Sequence, residues 1–214
     1  MNEHFRDLLY PLGFIAQLAF GLRFLVQWVA SEKVQKMVTP KLFWHLSIAG
    51  NLLLFIHSLI QLHFPMSLAQ GQNLVLSWRN LNLLGPESKK QTFWFVVLLL
   101  VAVSALTVVF FALHTYNTSW IATPGTLAIS SWIHIFGIVG ICSFAVRFWV
   151  QWWQAEHQNT GSLTESFWWI SLVGALICSI YFFIIRDWVN LIGPILSLVP
   201  YSRNLYFVKR AKTT

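Results

Sequence analysis

Long apolar stretches alternate with short polar segments along the whole chain. A membrane-spanning helix needs about 20 consecutive, mostly apolar residues, and the most uniform such stretch reads FWFVVLLLVAVSALTVVFFAL. The pattern predicts seven transmembrane helices, over residues 8–30, 40–62, 65–84, 93–114, 127–153, 165–185 and 188–208.

Composition supports this interpretation. Hydrophobic residues make up 57% of the chain and charged residues 10%, far below the roughly 25% charged residues of a soluble domain. We therefore expect an all-α membrane protein. The third stretch is the most polar, so it can span a membrane only if its polar residues face other helices. Those residues are Gln70, Gln72, Asn73, Arg79 and Asn80.

An internal repeat recurs at a constant offset of 124 residues. Matched Arg, Gln, Glu, Asn and Gly residues at one offset cannot be explained by a shared apolar composition. Arg23-Phe24-x-Val26-Gln27-Trp28 returns as Arg147-Phe148-x-Val150-Gln151-Trp152, Glu32 as Glu156, Phe43-Trp44-x-x-Ser47-x-x-Gly50 as Phe167-Trp168-x-x-Ser171-x-x-Gly174, and Arg79-Asn80-Leu81 as Arg203-Asn204-Leu205.

The repeat predicts the domain organisation. A unit of three helices has its two ends on opposite membrane faces, so a direct fusion would invert the second unit. The extra helix at 93–114 restores the same orientation. We therefore expect a first three-helix repeat over 8–84, a linker helix over 93–114 and a second, parallel repeat over 127–208. Parallel repeats are one known way of building a transporter.

Charge is unevenly distributed between the two predicted membrane faces. The positive-inside rule places the C-terminus in the cytoplasm and the N-terminus outside a bacterial inner membrane. The net charge of +7 then matches anionic membrane lipid, and basic residues this scattered do not favour a nucleic-acid partner. One face carries Lys33, Lys36, Lys41, Lys89, Lys90, Lys209, Arg210 and Lys212, and the other Arg6 and Arg186.

The duplicated Arg and Gln residues are the first candidates for a binding site. Arg23 and Gln27 lie one helical turn apart and share a face, as do Arg147 and Gln151. An intramembrane Arg is costly and is a functional candidate by default. The alternative is structural: snorkelling, or pairing with Glu32, Glu156 or a helix-end carbonyl.

Further candidates close the third helix of each repeat. Arg79-Asn80 and Arg203-Asn204 lie toward the same side as Arg23 and Arg147, so four guanidinium groups could converge on a phosphate. The alternative is that they are interfacial anchors.

Trp44 and Trp168 could stack on a sugar in a cavity, although packing between helices explains the small residues near them equally well. The sequence contains no paired carboxylates, metal-ligand spacing, phosphate loop or serine elbow. We expect no cofactor, no metal and no catalytic set, so an enzyme is the least favoured class.

The motifs RFLVQWVASEK, TPKLFWHLSIAGNLLL and WRNL, with their second copies, resemble the N-terminal domain family of lipid-A-disaccharide synthase. That family is related to the PQ-loop and SWEET-type sugar carriers, and the resemblance implies a SWEET-like arrangement of three, one and three helices. The chain departs from the family pattern in places. The family's proline is kept as Pro40 in the first copy but is Thr164 in the second, and its aspartate is kept as Asp187 in the second copy but is His63 in the first.

The resemblance implies a role in lipid A and envelope glycolipid metabolism. The leading hypothesis is a carrier or flippase for a phosphate-bearing lipid or sugar. The alternative is a non-catalytic membrane anchor or partner of lipid-A-disaccharide synthase or another lipid A glycosyltransferase, because family members occur fused to or beside such enzymes. The transferase domain itself is absent from this chain.

Overall fold

The computed structural model describes residues 10–35, 37–114, 129–158 and 163–213, and in this part of the chain it is all-helical. A short 3-10 helix, Glu87–Lys89, precedes α4. The α-helices are α1 (Leu12–Val34), α2 (Lys41–Ile60), α3 (Phe64–Leu83), α4 (Phe93–His114), α5 (Ser131–Gln158), α6 (Glu165–Ile184) and α7 (Trp188–Thr213).

The helices form where the apolar stretches predicted them, with shifted ends. The predicted spans 65–84 and 93–114 match α3 and α4 closely. The predicted spans 8–30 and 127–153 end several residues before α1 and α5 do. The additional helical residues include Glu32 and Glu156, which reach partners on α7 and α3.

The turns before α3 and α7 are duplicated in detail. Leu62 and Arg186 both adopt a left-handed backbone, with φ of 57°. The next residue in each turn, His63 or Asp187, donates its backbone N–H to the carbonyl five residues earlier. Left-handed residues end helices by satisfying their last carbonyls, so each half turns from its second to its third helix in the same way.

Six helices enclose the centre of the molecule. Within the first half, α1 packs on α2 and α2 on α3, and the second half repeats this with α5, α6 and α7. The halves meet where α3 contacts α5 and where α1 contacts α7. These contacts close a ring, and α4 packs against α3 on its outside.

Among the described residues, five helical segments are long and apolar enough to cross a membrane, namely Leu12–Val34, Lys41–Ile60, Glu87–His114, Ser131–His157 and Glu165–Ile184. The third helix of each half, α3 or α7, is more polar than these five segments. Their polar side chains are nevertheless buried, including Asn73, Ser77 and Asn80 on α3 and Asn190, Ser197 and Asn204 on α7. These two helices therefore turn polar faces toward the ring interior, as expected for residues 65–84.

Candidate binding cavity between the two halves

A cavity of about 620 Å³, counting the open space at its mouth, lies inside the ring. All six ring helices contribute to its lining. Several residues line it as pairs related by the 124-residue offset: Phe20 and Phe144, Arg23 and Arg147, Phe24 and Phe148, and Asn73 and Ser197. The two halves thus face each other across this space.

Arg23 enters the cavity from α1. Its side chain is buried, and Nη1 donates to Ser47 Oγ over 3.3 Å. The guanidinium carbon lies 4.7 Å from the ring centroids of Phe20 and Phe24 and 5.3 Å from that of Phe43. Nε has no hydrogen-bond partner. Aromatic faces stabilise the cation but leave donors of the guanidinium free.

Arg147 occupies the equivalent position on α5 and makes a shorter hydrogen bond than Arg23. Its Nη1 donates to the Tyr201 hydroxyl over 2.6 Å, and its guanidinium carbon lies 4.2 Å from the Phe144 centroid and 4.7 Å from that of Phe148. Its Nε also has no partner. Among the residues that the structure describes, no carboxylate forms an ion pair with either Arg. Two buried cations without counter-charges favour an anion between them.

Buried polar atoms without hydrogen-bond partners concentrate at this cavity. A buried polar atom without a partner is energetically unfavourable unless a ligand or water supplies the missing hydrogen bond. Two are the Nε groups of the cavity Arg residues. Four are amide oxygens: Gln17 Oε1, Gln70 Oε1, Asn73 Oδ1 and Asn190 Oδ1.

The duplicated Gln residues bridge the two halves and do not line the cavity. Asn80 Nδ2 donates to Gln151 Oε1 over 2.9 Å, while Gln151 Nε2 donates back to Asn80 Oδ1. In the repeat-related pair, Asn204 Nδ2 donates to Gln27 Oε1 over 3.3 Å. Each signature Gln therefore bonds to the Asn of the opposite half.

A second layer of cross-half contacts follows the Gln–Asn pairs. Arg79 pairs with Glu156, with Nε–Oε1 at 2.6 Å, and Arg203 pairs with Glu32, with Nη2–Oε1 at 2.9 Å. The structure thus separates the four candidate Arg residues into two at the cavity and two in ion pairs. We call this part of the bundle the ion-pair end, defined by Arg79–Glu156 and Arg203–Glu32.

The signature Trp residues support those ion pairs. Trp152 Nε1 donates to Glu156 Oε1 over 2.7 Å, and Trp28 Nε1 donates to Glu32 Oε1 over 3.0 Å. In the structural alternative for Arg23 and Arg147, their carboxylate partners are Glu32 and Glu156. The structure gives both carboxylates to the closing Arg residues of the opposite half instead.

Trp44 and Trp168 are fully buried and do not line the cavity. The Trp168 ring lies 5.8 Å from that of Tyr201, and its Nε1 donates to Met37 Sδ over 3.0 Å. They pack behind the cavity wall, whereas Phe20, Phe24, Phe144 and Phe148 supply its aromatic surface.

The opposite end of the bundle carries a titratable cluster, the His63 end, formed by the buried residues His57, His63 and Asp187 and the half-buried residues Tyr10 and His134. Burial lowers the pKa of the His63 imidazole, and the Asp187 carboxylate opposes that shift. Burial and Asp187 together raise the pKa of Tyr10. Within the described segments, no three His, Cys, Asp or Glu side chains are placed to hold a metal ion.

Sequence reasoning did not select Gln17, Asn190 or Tyr201, which line the cavity. A usable signal existed for two of them. Gln17 is a rare polar residue in an apolar helix, and Asn190 follows Asp187 at the start of another. Tyr201 carried no such signal, because its role depends on contact with Arg147.

A family model described as Lipid A Biosynthesis N-terminal domain matches the chain twice, over residues 12–82 and 136–206. The chain belongs to this family. Both matches start and end 124 residues apart, so each half is one copy of the family unit. The resemblance based on the Arg-Phe-x-Val-Gln-Trp and Arg-Asn-Leu motifs is confirmed.

Curated relatives connect the chain with lipid A biosynthesis. It is 37% identical to lipid-A-disaccharide synthase of Chlamydia muridarum over 94% of this chain, 36% to that of Chlamydia trachomatis serovar D over 94%, and 35% to that of Chlamydia felis over 96%. The chain spans 34% of the length of each relative. No solved structure matches it at a significant level.

Proposed function

We propose that this family member is an inner-membrane carrier or flippase for a phosphate-bearing lipid or sugar in lipid A and envelope glycolipid metabolism. The observation that carries the proposal is the pair Arg23 and Arg147, buried on opposite walls of one cavity with no carboxylate partner among the described residues. A phosphate group would complete donors that the protein leaves unpaired.

The proposed architecture is a SWEET-like arrangement of two parallel three-helix repeats, with α4 as the linker. The ring of contacts supports it, because α1 meets α7 and α3 meets α5 in a symmetric manner. The proposed topology places the C-terminus in the cytoplasm and the N-terminus outside, in accordance with the distribution of Lys and Arg. The ion-pair end would then face the cytoplasm.

The cross-half contacts suggest how access would alternate. Gln27–Asn204, Gln151–Asn80 and the two ion pairs all join one half to the other. In the proposed cycle, the halves rock about the cavity, and these contacts break when the ion-pair end opens. Because the contacts are polar, water can replace them during opening.

The test is transport by proteoliposomes that contain the purified chain. The probe is a fluorescent phosphatidylinositol, whose headgroup combines a phosphate with a hydroxylated ring, and movement between leaflets is read by quenching with a membrane-impermeant reductant. The double variant Arg23→Gln/Arg147→Gln should lose the activity. Arg186→Gln, which removes an exposed positive charge in a loop, is the matched control.

A second function is favoured by the relatives. Nearly the whole chain aligns with a segment that makes up about a third of the length of proteins named lipid-A-disaccharide synthase. It could therefore be a membrane anchor or partner of that enzyme or of another lipid A glycosyltransferase, with the cavity as a fixed lipid site. Co-purification with the transferase, together with no lipid movement in proteoliposomes, would favour this function over the carrier.

A further inference from the structure

The cavity has two chemically different layers. The layer at Arg23 and Arg147, which we call the cation layer, is largely duplicated, with identical residues 124 positions apart: Phe20 with Phe144, Arg23 with Arg147, and Phe24 with Phe148. The other layer, which we call the amide layer, is not duplicated. Gln17 corresponds to Ile141, Gln70 to Pro194 and Asn190 to Met66.

The two layers lie at different depths. Gln17 precedes Arg23 by six residues on α1, which is about 9 Å along a helix axis. On α7, Asn190 precedes Tyr201, the partner of Arg147, by about 16 Å on the same basis. The helices run side by side in the same direction, since Gln17 packs on Gly193 and Gln27 bonds to Asn204. The amide layer therefore lies nearer the His63 end.

The hydrogen bonds of Asn190 determine which end of its amide faces the cavity. Its Nδ2 donates to Asp187 Oδ2 over 2.7 Å, and its backbone N–H donates to Asp187 Oδ1 over 3.1 Å. A carboxylate only accepts hydrogen bonds, so the amino group must face Asp187. Oδ1 is thus left at the cavity, buried and without a donor. Gln17 Oε1 and Asn73 Oδ1 are buried acceptors without donors in the same space.

The two Arg residues of the cation layer differ in their hydrogen bonds. Tyr201 occupies one Nη of Arg147 at 2.6 Å. The equivalent of Tyr201 in the first half is Ser77, whose hydroxyl accepts from Asn51 Nδ2 over 3.0 Å and leaves Arg23 with only the long bond to Ser47. Both guanidinium groups thus use one Nη1 donor, but the bond of Arg23 is the longer and weaker one, so Arg23 turns more readily toward an anion.

We propose that the cavity binds a phosphate carrying a polyhydroxylated ring, with the phosphate at Arg23 and ring hydroxyls donating to the amide oxygens of Gln17, Asn73 and Asn190. This rests on the proposed function for the anion site and adds the sugar part of the ligand. Hydroxyl groups are the donors that these amide oxygens lack, and the two buried guanidinium groups favour a ligand that also carries a negative charge. Free and lipid-linked forms share this chemistry.

The test is equilibrium binding to the full chain in phosphatidylcholine nanodiscs. The soluble probes are glucose 1-phosphate, inorganic phosphate, phosphoethanolamine and glucose, and the lipid probes are phosphatidylinositol and phosphatidic acid. We expect the ring-bearing phosphate to bind at least about tenfold tighter than the phosphate without a ring, in the soluble or the lipid pair, as one or two satisfied buried acceptors predict.

Two variants introduce the residue found at the equivalent position of the other half. Asn190→Met copies Met66, and Gln17→Ile copies Ile141. Each should remove most of the tenfold advantage of the ring while leaving the affinity for inorganic phosphate or phosphatidic acid within about twofold. Arg23→Gln should weaken binding of every phosphate probe.

The outcomes separate this inference from the proposed function. An advantage of the ring in the lipid pair alone assigns a lipid-linked ligand, and one in the soluble pair alone assigns a free one. Equal affinities with and without the ring, an advantage unchanged in both variants, or tightest binding of phosphoethanolamine would overturn the inference while leaving a phosphate carrier intact. Ring-dependent binding without transport would overturn the carrier and keep the site.

Discussion

Arg79 of the first half and Glu156 of the second form a two-pronged ion pair, with Nε–Oε1 at 2.6 Å and Nη2–Oε2 at 2.8 Å. The repeat-related pair, Arg203 with Glu32, uses a single carboxylate oxygen, at 3.1 and 2.9 Å. The Arg79 side chain is 4% exposed and that of Arg203 44%. The same contact is therefore made twice, once buried and once open to its surroundings.

This asymmetry predicts unequal costs of breaking the two pairs. Glu156→Gln leaves a buried guanidinium without its counter-charge, which should reduce the free energy of unfolding by on the order of 3 kcal/mol. Glu32→Gln should reduce it much less, because the exposed Arg203 can be solvated. Thermal unfolding of both variants in detergent measures the difference, and equal losses would contradict it.

The Gln–Asn contacts predict a similar difference one layer deeper. Gln151 and Asn80 exchange two hydrogen bonds, whereas Gln27 accepts one from Asn204 and its Nε2 has no partner. Gln151→Leu should cost about 2 kcal/mol, since it leaves the buried Asn80 Oδ1 without a donor, and Gln27→Leu should cost less. A double-mutant cycle of Gln151→Leu with Asn80→Leu tests this. A coupling free energy near zero would show that the pair contributes no stability.

The bond from Arg147 to Tyr201 predicts an effect on anion binding. Tyr201→Phe keeps the ring contacts with Phe24 and Trp168 but frees one Nη of Arg147. The variant should be less stable in buffer without phosphate, because a hydrogen bond to a charged group is lost. Phosphate should then raise its unfolding temperature more than that of the unaltered protein. Serine at the equivalent position, Ser77, makes Ser77→Ala a suitable control.

The His63 end predicts a pH dependence of stability. The pKa of folded His63 lies below its usual 6.5, so the unfolded chain binds the proton more readily. The stability that depends on neutral His63 is complete above about pH 6.5 and is lost as the pH falls toward the folded pKa. The Tm should therefore drop on acidification, and the Nδ1 acceptor bond from Met66 N–H should be lost with it.

His63→Asn should reduce that acid-induced drop in Tm, because Asn can cap α3 without titrating in this range. The control is His45→Asn, which replaces an exposed His and should leave the drop unchanged. A drop of the same size in both variants would contradict the assignment of the pH dependence to His63.

The sequence predicted the helices well because the apolar pattern is strong. It also predicted that residues 65–84 would bury their polar face, which α3 does. The repeat identified Arg23 and Arg147 as equivalent residues. It could not predict that the Gln and closing Arg residues contact the opposite half, because those partners depend on α1 meeting α7 and α3 meeting α5.

The amide layer was harder to foresee for a related reason. Gln17, Gln70 and Asn190 are not repeated, so a search for duplicated residues passes over them. Tyr201 and Ser77 occupy equivalent positions but differ in size, and only the packing around Arg147 shows that the tyrosine hydroxyl reaches the guanidinium. Residues that make the two halves different required the structure.

The most direct test of the central claim is lipid movement by Arg23→Gln/Arg147→Gln in proteoliposomes. The unaltered protein and Arg186→Gln should move fluorescent phosphatidylinositol between leaflets at the same rate. The double variant should be slower by at least about tenfold, as expected when two charge-assisted phosphate contacts are lost. Equal rates for the double variant and the Arg186→Gln control would contradict a cavity that carries phosphate on these two residues.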